Sequence, residues 1–465
     1  MPINPAIFRE YDIRGNAAAD MGDASLPAIA GGIARWFQQK GANSVVLAYD
    51  CRLSSPRIHE GLRQVFQAYG FDVVSIGHSS TPCFYNACFN LDVAAGVMIT
   101  ASHNPAPDNG LKLMLGKDTL FGSQIQEIGK EAAQIFAEGA PLPSGQGSYR
   151  EIDHLPFYIQ DLVQRIQLGE RPLKVIIDCG NGSSGPSVQG VLDCYPGHIT
   201  YTPLNFTPDG TFPVHEADPV KPKNMVDLQR LVISEKADLG VGFDGDGDRL
   251  GIIDDQAQIL WGDQLMILFW RDIITRHPGA IGLVEVKCSQ LLFDEIARLG
   301  GKPEFCRTGH SLIKARMKEV NALFAGEMSG HLFFADEYYV YDDALYSFLR
   351  LLRLLSHTDQ PLSVLLGDLP HTYNTPEVRI PCPDAQKFQL VQQLSEALQK
   401  EYPVVTVDGV RVIFPEGWGL FRASNTQAAI VARCEATSSA KLEEYTAYLN
   451  RLYLSFTGGE PIHWA

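Results

Sequence analysis

Strand, small polar loop, helix, strand: this order occurs three times along the chain, around residues 45–76, 173–204 and 282–310. Each time a short apolar run of β-tending residues meets a stretch of Ser, Gly and Pro before helical spacing takes over. The first copy reads SVVLAYD at 44–50, a helix start at Ser54, Ser55 and Pro56, an amphipathic helix over 57–69 and a strand over 71–76. The second reads LKVIID at 173–178, the glycine-rich loop 180–185 and a helix beginning at Val188. The third reads a strand over 282–286, a helix over 290–299, a strand over 303–306 and a loop over 308–310. The copies match in pattern and not in identity, and the pattern predicts three related α/β domains with mixed sheets.

Beyond Pro381 and Pro383 the pattern changes. A helix over 384–401 carries Phe388, Val391, Leu394 and Leu398 at helical spacing, strands follow at 404–414 and 427–434, and a helix covers 438–454. That is the outline of a smaller α+β domain. A helix over 123–138, with Ile125, Ile128, Ala132 and Ile135 on one face, precedes a Pro- and Gly-rich seam at 141–147. An apolar helix over 342–355 precedes a hinge-like segment at 361–370. We therefore expect four domains, at 1–150, 151–256, 257–368 and 369–465. A chain of 465 residues is long enough for about three or four domains.

Charge and composition narrow the partners. With 38 Lys and Arg against 54 Asp and Glu the net charge is -16, which argues against nucleic acid or an anionic membrane as the main partner. A small phosphate ester remains possible where a few cations converge on a cleft. No apolar run approaches the roughly 18 residues a membrane helix needs. Residues 1–5 lack the basic region and apolar core of a signal peptide, and the nine cysteines contain no C-x-x-C pair, so a cytoplasmic location is expected.

Two loops carry reactive chemistry. TASHNP at 100–105 lies between the apolar runs 94–99 and 111–115, which places Ser102 exposed at a strand end. A hydroxyl on a rigid loop beside His103 and near Lys112 suits a nucleophile or a phosphoryl carrier, although the same residues would also cap an ordinary turn. DGDGDR at 244–249 sits between the apolar runs 239–243 and 250–253. Three carboxylates at alternate positions, with glycines allowing a tight fold, make a hard-cation site. A calcium loop would need Gly at the sixth position and Glu at the twelfth, where this chain has Arg249 and Asp255. Mg²⁺ takes few protein carboxylates and completes its shell with phosphate oxygen, which a phosphate on Ser102 would supply.

Together, TASHNP at 100–105, DGDGDR at 244–249, GEMSGH at 326–331 and RASNT at 422–426 resemble the α-D-phosphohexomutase family, one motif per expected domain. DGDGDR and Met328 are similar to the phosphomannomutase/phosphoglucomutase branch, where the phosphoglucosamine branch usually has DGDADR and GEQSGH. The resemblance implies interconversion of hexose 1-phosphate and hexose 6-phosphate, of mannose or glucose, through a phosphoserine enzyme and a hexose 1,6-bisphosphate that also serves as activator. It implies Ser102 as carrier, with Asp244, Asp246 and Asp248 holding one Mg²⁺ against it. Tyr11, Arg14, His103, Lys112 and Arg249 then surround that phosphate, and Arg14, Lys112 or His331 moves the hydroxyl proton. Glu327, Met328, Ser329, Gly330 and His331 form the sugar-reading loop, joined by Lys287 and His310. Arg422, Ser424, Asn425 and Thr426 form a phosphate platform. Small sugar phosphates are the expected partners of a monomer or weak homo-oligomer. The competing readings are a phosphoglucosamine mutase, a non-catalytic sugar-phosphate-binding protein, and a Ser-His hydrolase, which lacks a G-x-S-x-G elbow around Ser102.

Overall fold

The computed structural model describes residues 3–139, 141–425 and 427–464. The chain forms two compact units, Met1–Trp261 with Ser329–Leu365, and Gly262–Met328 with Leu366–Ala465.

The first unit holds two mixed sheets. Strands β1 (Ile13–Asn16), β2 (Ser44–Tyr49), β3 (Asp72–His78), β4 (Ala95–Ile99), β5 (Asp108–Leu115), β6 (Asp118–Thr119) and β7 (Tyr149–Glu151) form one sheet in the order β1-β5-β4-β2-β3-β7, with β6 beside β5. β4, β2, β3 and β7 run parallel, whereas β5 is antiparallel to both β4 and β1. Val45 to Ala48 are fully buried, as expected for a central parallel strand covered on both faces. The helix Ser123–Glu138 buries Ile125, Ile128, Ala132 and Ile135, the face its spacing predicts.

The second sheet is built the same way. β8 (Leu173–Asp178), β9 (Ile199–Leu204), β10 (Leu239–Phe243), β11 (Leu250–Asp254) and β12 (Ile259–Leu260) lie in the order β12-β11-β10-β8-β9. β10, β8 and β9 are parallel and β11 turns back against β10. In both sheets the reactive loop is thus the turn at which a parallel strand hands over to an antiparallel one. Residues 100–107 join β4 to β5, and residues 244–249 join β10 to β11. Both loops leave the carboxyl end of a parallel strand, where open α/β sheets place their ligands.

In the second unit, β13 (Ile281–Glu285), β14 (Lys302–Cys306) and β15 (Phe324–Gly326) are parallel with β13 between the others. The chain then returns to the first unit with β16 (Leu332–Phe334) and the helix Ala344–Ser356, whose N-cap Asp343 accepts the Tyr346 N–H at 2.8 Å. It ends in the second unit on an antiparallel sheet of β17 (Tyr373–Asn374), β18 (Val378–Pro381), β19 (Val404–Val405), β20 (Val410–Phe414), β21 (Gly417–Ala423) and β22 (Ala429–Ala436). The order is β17-β22-β21-β20-β19, with β18 also beside β22; the helix Asp384–Leu398 joins β18 to β19 and the helix Ser439–Thr457 follows β22. Three α/β layers followed by an α+β layer agree with the expected fold class.

Two local expectations are corrected. The strand expected over 404–414 is split into β19 and β20, and β21, whose glycines Gly417 and Gly419 hide its strand character, was not anticipated. On the helix Asp384–Leu398, Phe388 is 60% exposed, and Lys387 is buried in the loop-facing position beside it. The Lys387 ammonium donates to the carbonyls of Ser424 at 2.6 Å and Gln427 at 3.0 Å, so Lys387 rather than Phe388 continues the buried face of Val391, Leu394 and Leu398. The segment expected to be a hinge contains the junction between the units, at Leu365 and Leu366.

Candidate functional site

Ser102 is 2% exposed, not exposed at a strand end as its loop position suggested. Its φ is +51°, a left-handed conformation that costs a non-glycine residue about 1 kcal/mol or more. Its Oγ donates to Asp244 Oδ2 at 2.8 Å and lies 3.2 Å from His103 Nδ1. Asp244 covers it from 142 positions away in the chain, a burial no local pattern records. Gly245 lies so close that a Cβ there would stand 2.5 Å from the Ser102 carbonyl oxygen, so the first glycine of DGDGDR is required by contact with the serine loop.

The 244–249 loop folds around its own first carboxylate. Asp244 Oδ1 accepts the N–H groups of Gly247, Asp248 and Arg249 at 3.0, 3.1 and 3.1 Å. Asp246 Oδ2 accepts the Thr81 hydroxyl at 2.7 Å, and its main-chain carbonyl accepts the Thr81 N–H at 2.8 Å. Lys112, on β5, pairs with Asp246 at 2.9 Å and with Asp248. One oxygen from each of Asp244, Asp246 and Asp248 lies within 4.8 Å of the others, and all three residues are fully buried.

Three buried carboxylates face the Lys112 ammonium and, 4.0 Å from Asp248, the Arg249 guanidinium, and with all three ionised they leave an excess of negative charge where solvation is poor, an arrangement that is costly unless a further cation joins them. Asp246 Oδ1 is buried with no hydrogen-bond donor among the described residues. The donor set, all carboxylate oxygen, and this unserved oxygen both fit a hard divalent cation.

The charges are strongly displaced. Burial, reinforced by repulsion from Asp248 and Asp246, pushes the Asp244 carboxyl well above its usual range. Burial opposes the charge on Asp248 as well, but Lys112, His331 and Arg249 together hold it well below. Lys112 also loses solvation, yet Asp246 and Asp248 keep its ammonium charged far beyond the ordinary lysine range. Burial, helped by the charges of Arg249 and Arg14, keeps the His103 ring neutral.

His331 reaches this cluster because Gly330 has a φ of +92° and sits so that a Cβ would lie 2.3 Å from the Leu250 carbonyl. The His331 Nε2 atom is 3.0 Å from Asp248 Oδ1 and 2.8 Å from Arg249 Nε. One ring nitrogen can donate to the carboxylate or accept from the guanidinium, not both, so its protonation selects its partner. Arg14, on β1, donates to Asn104 Oδ1 at 2.9 Å and pairs with Asp12. Tyr11, just before β1, is half-buried.

The second unit gathers the remaining residues. Lys287 Nζ lies 3.0 Å from Glu377 and 3.4 Å from Glu285. Against its burial, the two carboxylates keep Lys287 charged, and Lys287 in turn draws the Glu377 carboxyl down to about 2. Glu285 Oε1 accepts the Thr308 hydroxyl and Oε2 the Met328 N–H. Glu327 Oε1 accepts the Gly309 N–H at 2.7 Å, at the start of the helix His310–Val320. Asp408 Oδ2 receives both Arg422 Nε and the Thr308 N–H at 3.0 Å, which ties the arginine of RASNT to the loop before His310. Ser424 is buried and accepts the Gln427 N–H at its hydroxyl. Asn425 is half-buried, and Thr426 lies outside the described residues. Of GEMSGH, Glu327 and Met328 belong to this unit, whereas Ser329, Gly330 and His331 belong to the first.

Several residues that shape these loops carry no motif. Arg52, Thr81, Lys387, Arg411 and Arg433 all bond main-chain or carboxylate oxygens of the loops above. Only Thr81 and Lys387 had a weak signal available, as polar residues at or inside helices with apolar neighbours.

Comparison with known proteins agrees with this geometry. The four phosphoglucomutase/phosphomannomutase family models match in order: α/β/α domain I at residues 5–138, domain II at 156–257, domain III at 261–373 and the C-terminal domain at 377–452. A phosphomannomutase/phosphoglucomutase of Pseudomonas aeruginosa is 39% identical over 457 residues, covering 97% of this chain and 96% of that protein. A phosphoglucomutase of Neisseria meningitidis is 40% identical over 440 residues, covering 94% of each. A crystal structure of a phosphoglucomutase/phosphomannomutase family protein from Burkholderia thailandensis aligns with a TM-score of 0.92 at 36% identity, over 99% of this chain and 100% of that one.

Proposed function

Because this chain belongs to the phosphoglucomutase/phosphomannomutase family, we propose that Ser102 is the phosphoryl carrier of a mutase whose parts are the two clusters just described. The chain is a phosphohexomutase, interconverting hexose 1-phosphate and hexose 6-phosphate. Glucose and mannose are the proposed hexoses. The observation that carries the assignment of Ser102 is its buried Oγ, held 2.8 Å from the first of three clustered aspartates.

The reaction runs in two halves. The hexose 1-phosphate 6-hydroxyl attacks the phosphoryl group on Ser102, the bond from phosphorus to Oγ breaks, and 1,6-bisphosphate forms. After the sugar reorients, Ser102 Oγ attacks the 1-phosphoryl group and hexose 6-phosphate leaves. Phosphoryl transfer demands positioning and charge neutralisation above all. Asp244, Asp246 and Asp248 would hold one Mg²⁺, which when bound withdraws charge from the phosphoryl oxygens. Lys112, kept charged by Asp246 and Asp248, neutralises phosphate charge and is a poor proton acceptor for the same reason. His331 is the better acceptor for the sugar hydroxyl proton, since its Nε2 lies within hydrogen-bonding distance of both a carboxylate and a guanidinium. Arg14 and Arg249 complete the cationic surround, with Tyr11 and His103 at its edge.

In the second unit Arg422, Ser424, Asn425 and Thr426 bind the phosphate that is not reacting, with Lys287 and His310 as further ligand contacts. Glu327 and Ser329 read two adjacent sugar hydroxyls, with Met328 and Gly330 shaping their loop. The domain division at 1–150, 151–256, 257–368 and 369–465 belongs to this reading, supported by the Pro- and Gly-rich seams at 141–147 and 361–370. So do 1,6-bisphosphate as activator, a cytoplasmic location, a monomeric or weakly associating state, and the absence of nucleic-acid or membrane partners. Among the described residues no helix is long and apolar enough to cross a membrane.

Peptide mapping after labelling with ³²P-hexose 1,6-bisphosphate tests the carrier. Label on Ser102, and loss of nearly all mutase activity in a folded Ser102→Ala variant, is the expected result. Label on another residue refutes it. Coupled assays on glucose, mannose and glucosamine 1-phosphates then rank the sugars.

A further inference from the structure

Beneath the serine loop lies Arg52, fully buried and in no recognised motif. Its guanidinium has five N–H donors, and all five are engaged. NH2 donates to the carbonyls of Ser102 and Asn104, both at 2.7 Å, and NH1 to those of Pro105 at 2.7 Å and Asp108 at 3.1 Å. Nε donates to Asp50 Oδ2 at 3.1 Å. Asp50 is fixed in its turn, accepting the Arg52 N–H at 3.1 Å and the Ser55 hydroxyl at 2.7 Å on its other oxygen. Ser55 receives Asn109 Nδ2 at 2.9 Å, so the support runs on into the first residues of β5. The Phe212 ring lies 5.3 Å from the guanidinium carbon.

The loop from Ser102 to Asp108 is therefore wrapped around one cation through its carbonyls. Within the loop the Ser102 N–H donates to Thr100 Oγ1 at 2.9 Å and the Asn104 N–H to the Ala101 carbonyl at 3.0 Å, but among the described residues no bond of the loop's own takes up the Ser102 carbonyl, and Ser102 is held at a φ of +51°. Left to itself such a residue relaxes to a less strained conformation and carries Oγ away from Asp244. Four charge-assisted bonds to main-chain oxygens outweigh that preference. The geometry points to Arg52, braced by Asp50, as the positioning residue that aims Ser102 for phosphoryl transfer, an inference that rests on Ser102 being the carrier. Arg52 meets only main-chain oxygen and Asp50 among the hydrogen-bond acceptors, so its influence is on the placement of Oγ. Lysine cannot substitute for it: one ammonium with three donors does not span four carbonyls set out to match a planar fork.

The test is the full-length Arg52→Lys and Asp50→Asn variants, with mutase rates expressed per site that accepts ³²P from hexose 1,6-bisphosphate. We expect kcat per labelled site to fall about 100-fold or more in Arg52→Lys, the scale of a misplacement of roughly 1 Å, with KM for hexose 1-phosphate within threefold of wild type. Asp50→Asn, which keeps the four carbonyl bonds and loosens the brace, should show the same split with a fall of about 10-fold. A lower melting temperature with kcat per labelled site within threefold would make Arg52 a stabiliser alone and overturn the inference. A raised KM at unchanged kcat would overturn it by placing Arg52 against substrate. If Arg52→Lys does not fold, Asp50→Asn decides by the same criteria, and failure of both to fold would also overturn the positioning role. Wild-type label mapping elsewhere than Ser102 would instead overturn the carrier assignment, whatever the variants do.

Discussion

Thr81→Val removes one hydroxyl and almost no volume, and it bears directly on the aspartate cluster. Thr81 is fully buried at the start of the helix Thr81–Asn90, and its hydroxyl donates to Asp246 Oδ2 at 2.7 Å. The other oxygen of Asp246 has no donor among the described residues, so the variant leaves Lys112 to orient this carboxylate. The main-chain bond from Thr81 N–H to the Asp246 carbonyl, at 2.8 Å, survives the substitution, and the loop should keep its path. A buried hydrogen bond to a charged acceptor contributes about 1.5–3 kcal/mol. If that is lost from the metal-bound form, half-saturation by Mg²⁺ moves up by about 10-fold to 100-fold, the range found when outer-shell partners of metal ligands are removed. The assay is mutase rate against free Mg²⁺, from chelator-stripped protein upward, with thermal melting in parallel. We expect a melting temperature close to wild type, a right-shifted Mg²⁺ curve and a maximal rate within a few-fold of wild type. An unchanged Mg²⁺ midpoint in a folded variant would refute the claim that Thr81 orients a metal ligand, and full activity after exhaustive chelation would remove the cation altogether.

Three further outcomes follow from the same geometry. Arg422→Ala should raise KM for hexose 1-phosphate and hexose 6-phosphate alike by about 10-fold to 150-fold, equivalent to a charged hydrogen bond of about 1.5–3 kcal/mol, and release more bisphosphate per turnover; steady-state kinetics showing an effect in one direction only would mean separate anchors. His331→Asn should lower kcat and, because His331 Nε2 lies 3.0 Å from Asp248 Oδ1, also shift the Mg²⁺ curve to the right; a kcat unaffected across pH 6–9 would pass the proton to another group. Asp343 offers a test of stability: burial, against the donors Tyr346 N–H, Tyr338 and Tyr158, raises its carboxyl to about 6. The raised value means stability is fully present below the unfolded carboxyl's ordinary range and falls as pH rises through about 6, by about 3 kcal/mol in all. Asp343→Asn should abolish that fall, so its stability relative to wild type should improve from pH 4 to pH 8 in denaturant titrations; a constant difference would count against it.

How far the sequence discloses this protein depends on whether a partner is near in the chain. The carboxylates of 244–249 are legible because three acidic residues two apart in one loop can hardly avoid each other. The apolar face of the helix Ser123–Glu138 is legible because its period is local. Ser102 was misread as exposed because the residues that cover it, Asp244 and Gly245, come from a different sheet. Thr81 reaches across 165 positions to Asp246, Arg52 across 50 to the Ser102 carbonyl, and Arg433 across 146 to the Lys287 carbonyl. Their acceptors are main-chain oxygens or an already assigned aspartate, so neither their spacing nor their neighbours advertise them. Phe388 failed for the opposite reason: its helical period is real, but the neighbouring Lys387 has buried acceptors to reach.

These unadvertised cations share one arrangement. Arg52 gathers four carbonyls beneath the serine loop, Arg411 takes those of Val286 and Cys288 at 2.7 Å, Arg433 takes that of Lys287, and Lys387 takes those of Ser424 and Gln427. In every case the loop so held carries residues assigned here to phosphate or sugar. A loop that receives phosphate must turn its N–H groups and cationic side chains toward the ligand, and its carbonyl oxygens, which repel a dianion, must find partners elsewhere. A buried guanidinium supplies those partners and adds positive charge behind the loop, whereas a helix or sheet ladder would consume the N–H groups as well. Arg411 shows what this costs: without a direct carboxylate partner among the described residues, stacked 3.6 Å from the Trp418 ring, its guanidinium is drawn down to about 9 by burial. It still carries its charge at neutral pH. A carboxylate beside Arg411 would recover solvation but cancel the field that the anionic ligand feels, a compromise the other three cations make, with Asp50 at 3.1 Å from Arg52, Asp384 at 2.6 Å from Lys387 and Asp263 at 3.8 Å from Arg433.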